Sequence, residues 1–206
     1  MKMTMSKEEL SAFVQRQLDF YIPDGYVTEH KYWLEAMGTA LKRCDNCFKH
    51  ILTPLYRDSN KESLFSHLHR DQYATFLYYH EKQICDKLLN LQSILHSFFL
   101  SYKCEMPDLF WLGHPIGSII GNAKYSDGLC ITQNVTVNTH VDAQGNVDLV
   151  LGKGVVLQPG ATIIGNKQIG DRVTIGPNVL IYNEKIESDY TCINQKGEIL
   201  IRPRKH

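Results

Sequence analysis

A large aliphatic residue stands at every sixth position through Leu151, Leu157, Ile163, Ile169, Ile175 and Ile181, and this period excludes both common elements. A helix would repeat its apolar face at spacings of three and four, and an ordinary strand at two. A period of six suits a short strand plus a tight turn, stacked coil upon coil, because each anchor then falls in one column of a continuous core. The slot four positions on holds Val155, Ala161, Val173 and Val179, with Lys167 as the one break. Gly152, Gly170 and Gly176 directly follow three of the anchors and suit the turns. The segment therefore reads as a parallel β-helix of six-residue repeats. Counting by six from Ile119 through Tyr125, Ile131 and Val137, with Ala123, Leu129 and Val135 alongside, extends it upstream. The fourteen positions from Val137 to Leu151 read as two repeats plus two extra residues, and "NTHVDAQGNVD" between them has the turn chemistry of an ejected loop. Such loops on rigid scaffolds are where binding and chemistry concentrate.

The first hundred residues keep a different period. Ser6 with Glu9 forms a capping-box pattern ahead of Leu10, Phe13, Val14 and Leu18, and Pro23 with Asp24-Gly25 stops that helix. Trp33, Leu34, Met37, Leu41, Cys44, Phe48 and Ile51 step by three and four toward Pro54. A third helical region is expected from about Asp71 to Ser101, with Leu88, Leu91, Leu95 and Phe98 on one face. The fold class is α+β: an α-helical N-terminal domain over 1–104, then a left-handed parallel β-helix over 105–206. A helical domain in that place also covers the open first coil, which solenoids need.

Composition narrows the partners. Lys plus Arg and Asp plus Glu both total 22, so no net field favours nucleic acid or an anionic membrane. No stretch approaches the roughly 18 uninterrupted apolar residues of a spanning helix, and "MKMTMSKEELSAF" lacks a signal-peptide core. A cytoplasmic protein without membrane insertion is expected. Six scattered cysteines suit a reducing compartment.

Two features compete for chemistry. Cys44 and Cys47 form a Cys-x-x-Cys, but no second pair completes a zinc site, and helical spacing puts both beside Met37, Leu41 and Phe48; core packing is the expectation. His67, His69 and His80 lie in or near polar stretches and are expected at the surface. His114 differs, because it sits between Gly113 and Pro115 at the entry to the β-helix. A positioned imidazole there is a candidate catalytic group.

The stretch "HPIGSIIGNAKYSDGLCITQNVTVN" resembles the core of the serine O-acetyltransferase family, within the hexapeptide-repeat acyltransferases. The matches to its His-x-x-Gly-x-x-x-Gly and Gln-x-Val-Thr pattern are His114, Gly117, Gly121, Gln133, Val135 and Thr136, and the likeness covers about residues 104 to 190. "YATFLYY" and "EMPDLF" are similar to the shorter members found in surface-polysaccharide gene clusters. The resemblance implies acetyl-CoA as cosubstrate, no metal, and His114 as the base that takes the acceptor's hydroxyl proton. It also implies that Asn138, Thr139 and His140 line the pantetheine groove and supply oxyanion donors, with Pro159 and Pro177 where small residues meet CoA. Assembly as a homotrimer or dimer of trimers follows from the same likeness.

Departures from the family pattern shape the expected acceptor. Gly113 replaces the Asp that precedes the family's histidine and helps hold the amino acid, and Asp148 aligns with its second active-site histidine. Glu105 and Asp108 stand in for the carboxylate that orients the imidazole, or else are solvated charges. The expected activity is acetyl transfer to a hydroxyl, of a sugar in surface-polysaccharide biosynthesis, with serine acetylation for cysteine biosynthesis as the alternative. Two rival readings remain. A zinc lyase similar to γ-carbonic anhydrase needs three histidines, and after residue 104 there are only His114, His140 and His206. A non-catalytic β-helix scaffold is the other.

Overall fold

A computed structural model describes residues 1–25, 29–80, 84–137 and 148–204. The chain divides into two compact units, Met1–His96 and Ser97–His206.

The first unit is helical. Helix α1 spans Lys7–Tyr21, and its capping box is fully made, with Glu9 N–H donating to Ser6 Oγ and Ser6 N–H donating to the Glu9 carboxylate. Two orphan donors of the first turn are thereby satisfied. Helix α2 spans His30–Lys49 and buries Trp33, Met37, Leu41, Cys44, Cys47 and Phe48 on one face. Both cysteines are therefore core residues, as their helical spacing predicts. Helices α3 (Arg70–Tyr79) and α4 (Cys85–His96) replace the single region expected from Asp71 to Ser101. The break comes at His80, whose backbone is extended, and the run ends at Ser97, which adopts a left-handed φ of 51°. His80 is also buried rather than at the surface, edge-on to Trp33 and Phe76. Aromatic packing outweighs the polar sequence around it.

The second unit is a left-handed parallel β-helix with three faces. The first face stacks Phe99–Leu100, Ile119–Ile120, Thr136–Val137, Thr162–Ile164 and Leu180–Tyr182. Lys124–Tyr125 and Val150–Leu151 form the second, joined by bridges through Glu105, Ile169 and Ile186. On the third face lie Phe110–Leu112, Leu129–Ile131, Val156–Leu157, Thr174–Ile175 and Tyr190–Gln195. Glu198–Pro203 closes that sheet by antiparallel pairing with Tyr190–Gln195. The solenoid begins at Phe99, ahead of the expected junction at residue 105, because Phe99–Leu100 pairs in register with Ile119–Ile120.

The six-residue anchors are the core: Leu151, Leu157, Ile163, Ile169, Ile175 and Ile181 are all buried, as are Val155, Ala161, Val173 and Val179. Two register expectations need correction. Ile120, not Ile119, points inward, and Ile119 is 52% exposed. Ile120 to Tyr125 is a five-residue step between adjacent faces, so counting by six from Ile119 selects the wrong neighbour. The gap from Val137 to Leu151 is also not two repeats plus two. Val137 lies on the first face beside Ile163 and Leu151 on the second beside Tyr125, so one six-residue step has gained eight residues at a single corner.

Candidate functional site

His114 stands at the corner between the third and first faces, on a local insertion. From Leu112 to Ile119 is seven positions, whereas the paired residues below, Ile131 and Thr136, are five apart. The next two coils, Leu157 to Thr162 and Ile175 to Leu180, also take five. Two extra residues thus enter the corner of the first coil alone. Backbone bonds locate them: Ile116 O accepts from Asn134 N at 2.9 Å, Gln133 O from Gly160 N at 3.0 Å, and Pro159 O from Asn178 N at 2.9 Å. Ile116, Gln133, Pro159 and Pro177 therefore form one column. Above Ile116 the first coil has Gly113, His114 and Pro115 where the second has only Thr132. The bulge carries His114 outward with a left-handed φ of 56°, and its imidazole is exposed. Such strained backbone in a non-glycine residue clusters at functional sites.

The bulge is held from both ends. Gly113 N donates to Ile131 O at 2.7 Å, and Ser118 N donates to Pro115 O at 3.1 Å. Gly117, at φ 73°, holds a left-handed backbone that disfavours a side chain, and a Cβ there would also press on the flexible amide end of Asn134. Gly113 is different: a Cβ would meet Thr132 Cγ2 at 3.4 Å and Trp111 Cζ2 at 3.7 Å, ordinary contacts. Among the described residues, nothing in the packing forbids a side chain beside His114.

The other expected residues fall elsewhere on the solenoid. Pro159 and Pro177 share the His114 corner, two and three coils along it, the latter roughly 14 Å away at the usual strand spacing. Exposed Asp148 lies at the corner between the first and second faces. Exposed Glu105 is on the second face of the first coil, and exposed Asp108 lies at the corner that follows. Within one chain His114 shares its corner with neither Asp148 nor the two carboxylates. Asn138, Thr139 and His140 lie outside the described residues.

Cysteine chemistry is disfavoured in the solenoid. Burial pushes the thiols of Cys130 and Cys192 up to about 11 and that of Cys104 to about 12, far from the thiolate needed for attack. Among the described residues no group of three His, Cys, Asp or Glu is placed to hold a metal ion. Ser118, which the sequence reading passed over, lies directly under the bulge, 1% exposed. It interrupts the slot held by Val135, Ala161 and Val179, a signal that appears once Ile120 is taken as the anchor.

Residues 148–183 match the family described as bacterial transferase hexapeptide (six repeats). The chain is 27% identical over 131 residues to a serine acetyltransferase of Synechococcus elongatus, covering 63% of this chain and 53% of the relative. It thus spans about half the length of that relative. The crystal structure of serine acetyltransferase from Neisseria gonorrhoeae superposes with a TM-score of 0.69 at 18% identity, over 98% of this chain and 82% of that one. A serine acetyltransferase in complex with CoA gives 0.59 at 20% identity, over 82% and 75%.

Proposed function

We propose that this chain, a hexapeptide-repeat protein with a serine acetyltransferase-like fold, transfers the acetyl group of acetyl-CoA to an acceptor hydroxyl. The observation that carries the proposal is His114, raised on a two-residue bulge at the corner that also bears Pro159 and Pro177. An extended pantetheine arm laid along that flat corner brings its thioester to the imidazole. The imidazole takes the hydroxyl proton as the oxygen attacks the thioester carbonyl carbon. The tetrahedral intermediate then collapses, the C–S bond breaks, and the proton passes to the departing CoA sulfur, giving an ester and free CoA. A positioned base of this kind contributes around 10² to 10⁴ in rate. Backbone amides at Asn138, Thr139 and His140 are proposed as oxyanion donors.

L-serine is the acceptor best supported, since the relatives described above are named for it. Gly113 favours a second reading, a sugar hydroxyl, because the residue preceding His114 in the chain brings no carboxylate to hold an ammonium group. Release of CoA thiol from acetyl-CoA, assayed with serine and with a panel of nucleotide sugars, tests both. Serine-dependent release supports the first reading, sugar-dependent release the second, and no release with any acceptor overturns the transferase and leaves a scaffold.

A shared site is part of the proposal. The outward row Phe99, Ile119, Thr136, Thr162 and Leu180 runs down the first face. Packing of that face in a trimer would cover it and bring the Asp148 corner of one copy toward the His114 corner of the next. Asp148 then contacts the acceptor, and Glu105 or Asp108 orients the imidazole.

A further inference from the structure

The turn between the third and first faces is closed the same way in the later coils. Ala161 N donates to Gln158 O at 2.9 Å, and Val179 N donates to Gly176 O at 3.3 Å. Directly beneath the His114 bulge, the equivalent link from Val135 to Thr132 runs through a hydroxyl instead. Ser118 Oγ donates to Thr132 O at 2.8 Å and accepts from Val135 N at 2.9 Å. The side chain has entered the turn of the coil below and stands between its donor and its acceptor.

The slot makes this unusual. Val135, Ala161 and Val179 fill it with methyl groups in the other coils, all buried. A buried hydroxyl costs free energy unless its bonds are made. Here both are made, and both go to the coil on which the bulge rests. Thr132 is the residue whose methyl would meet a Cβ at Gly113, and its own hydroxyl donates to Leu157 O at 2.9 Å. On the other side Ser118 N–H donates to Pro115 O. One residue thus ties the C-terminal end of the bulge to the floor beneath its N-terminal end, and His114 lies between these two attachments.

We infer that Ser118 is a positioning residue for His114: its hydroxyl fixes the bulge on the coil below and so sets where the imidazole stands. The inference rests on the proposed role of His114 as base. Its test uses three variants, because alanine and valine occupy this slot elsewhere in the same solenoid and the fold accepts both shapes. Ser118→Thr keeps the hydroxyl, Ser118→Val keeps the branched shape without it, and Ser118→Ala removes both. Turnover is measured with acetyl-CoA and serine, and the His114 ring resonances are followed by NMR. The threonine variant should keep kcat within about threefold, while valine and alanine lower it about tenfold to a hundredfold with KM for acetyl-CoA unchanged. The His114 resonances should move in the valine and alanine variants and not in threonine. A valine variant that matches threonine in both readouts overturns the inference. Absence of turnover in the unmodified protein defeats the serine acetylation reading instead, and the NMR comparison still decides whether Ser118 holds the imidazole.

Discussion

Gly113 and Gly117 flank the same bulge and should respond to substitution in opposite ways. Gly117 sits in a left-handed backbone that an L side chain disfavours, and a Cβ would also displace the Asn134 amide, so Gly117→Ala should cost about 2 kcal/mol in denaturant unfolding. A variant as stable as the parent would contradict the backbone argument. Gly113 has room, with its nearest prospective contact at 3.4 Å, so Gly113→Asp should fold normally. The new carboxylate beside His114 should raise kcat/KM for serine by about tenfold through a charge-assisted bond to the ammonium group. No change in serine use would count against an acceptor amine lying at that position. Legibility at this scale was uneven. The exposed corner position of His114 is readable from its flanking Gly113 and Pro115, while Ser118 was hidden by a register set one residue early, on exposed Ile119 instead of buried Ile120.

Among the elements, His80 just after α3 and His96 at the end of α4 should make the helical unit acid-sensitive. Burial lowers the imidazole pKa of His80 to about 4, and burial, with a smaller contribution from Arg70, lowers that of His96 to about 4, from an ordinary 6.5. The unfolded chain therefore binds protons first as pH falls from about 6.5 toward 4, and stability is lost across that window. Each histidine removes up to about 3 kcal/mol by the lower end of it. Thermal unfolding should show a falling Tm between pH 7 and pH 5, with a shallower fall in His96→Leu; a flat profile would contradict the burial argument. These elements also show what sequence can report. The six-residue anchors were legible because each carries its own burial, and α1 because its capping box is local. The break at His80 was not, since no Gly or Pro marks it in the sequence. The closing hairpin of Tyr190–Gln195 and Glu198–Pro203 went unread as well, although Lys196 and Gly197 supply its left-handed turn.

For the whole molecule, the first face is the surface that needs an explanation. Leu180 and Tyr182 are 45% and 71% exposed, while Val156 on the third face and Ile164 on the first are only partly buried. Burial of the first face between copies predicts a trimer as the smallest active species. Light scattering at assay concentration should return about three chain masses, and an active species near 23.6 kDa would refute the shared site. The interruption of the repeat between Val137 and Leu151 was legible, but its length relative to one step of the solenoid was not, because only strand pairing tells which face each flank occupies. The proposed activity turns on His114 removing the acceptor's proton in a transfer from acetyl-CoA. Its most direct test is thiol release by His114→Ala beside the unmodified protein, with acetyl-CoA binding measured on both. Unchanged binding and a loss of turnover of about 10² or more are predicted, and retention of more than about a tenth of the turnover would contradict the account.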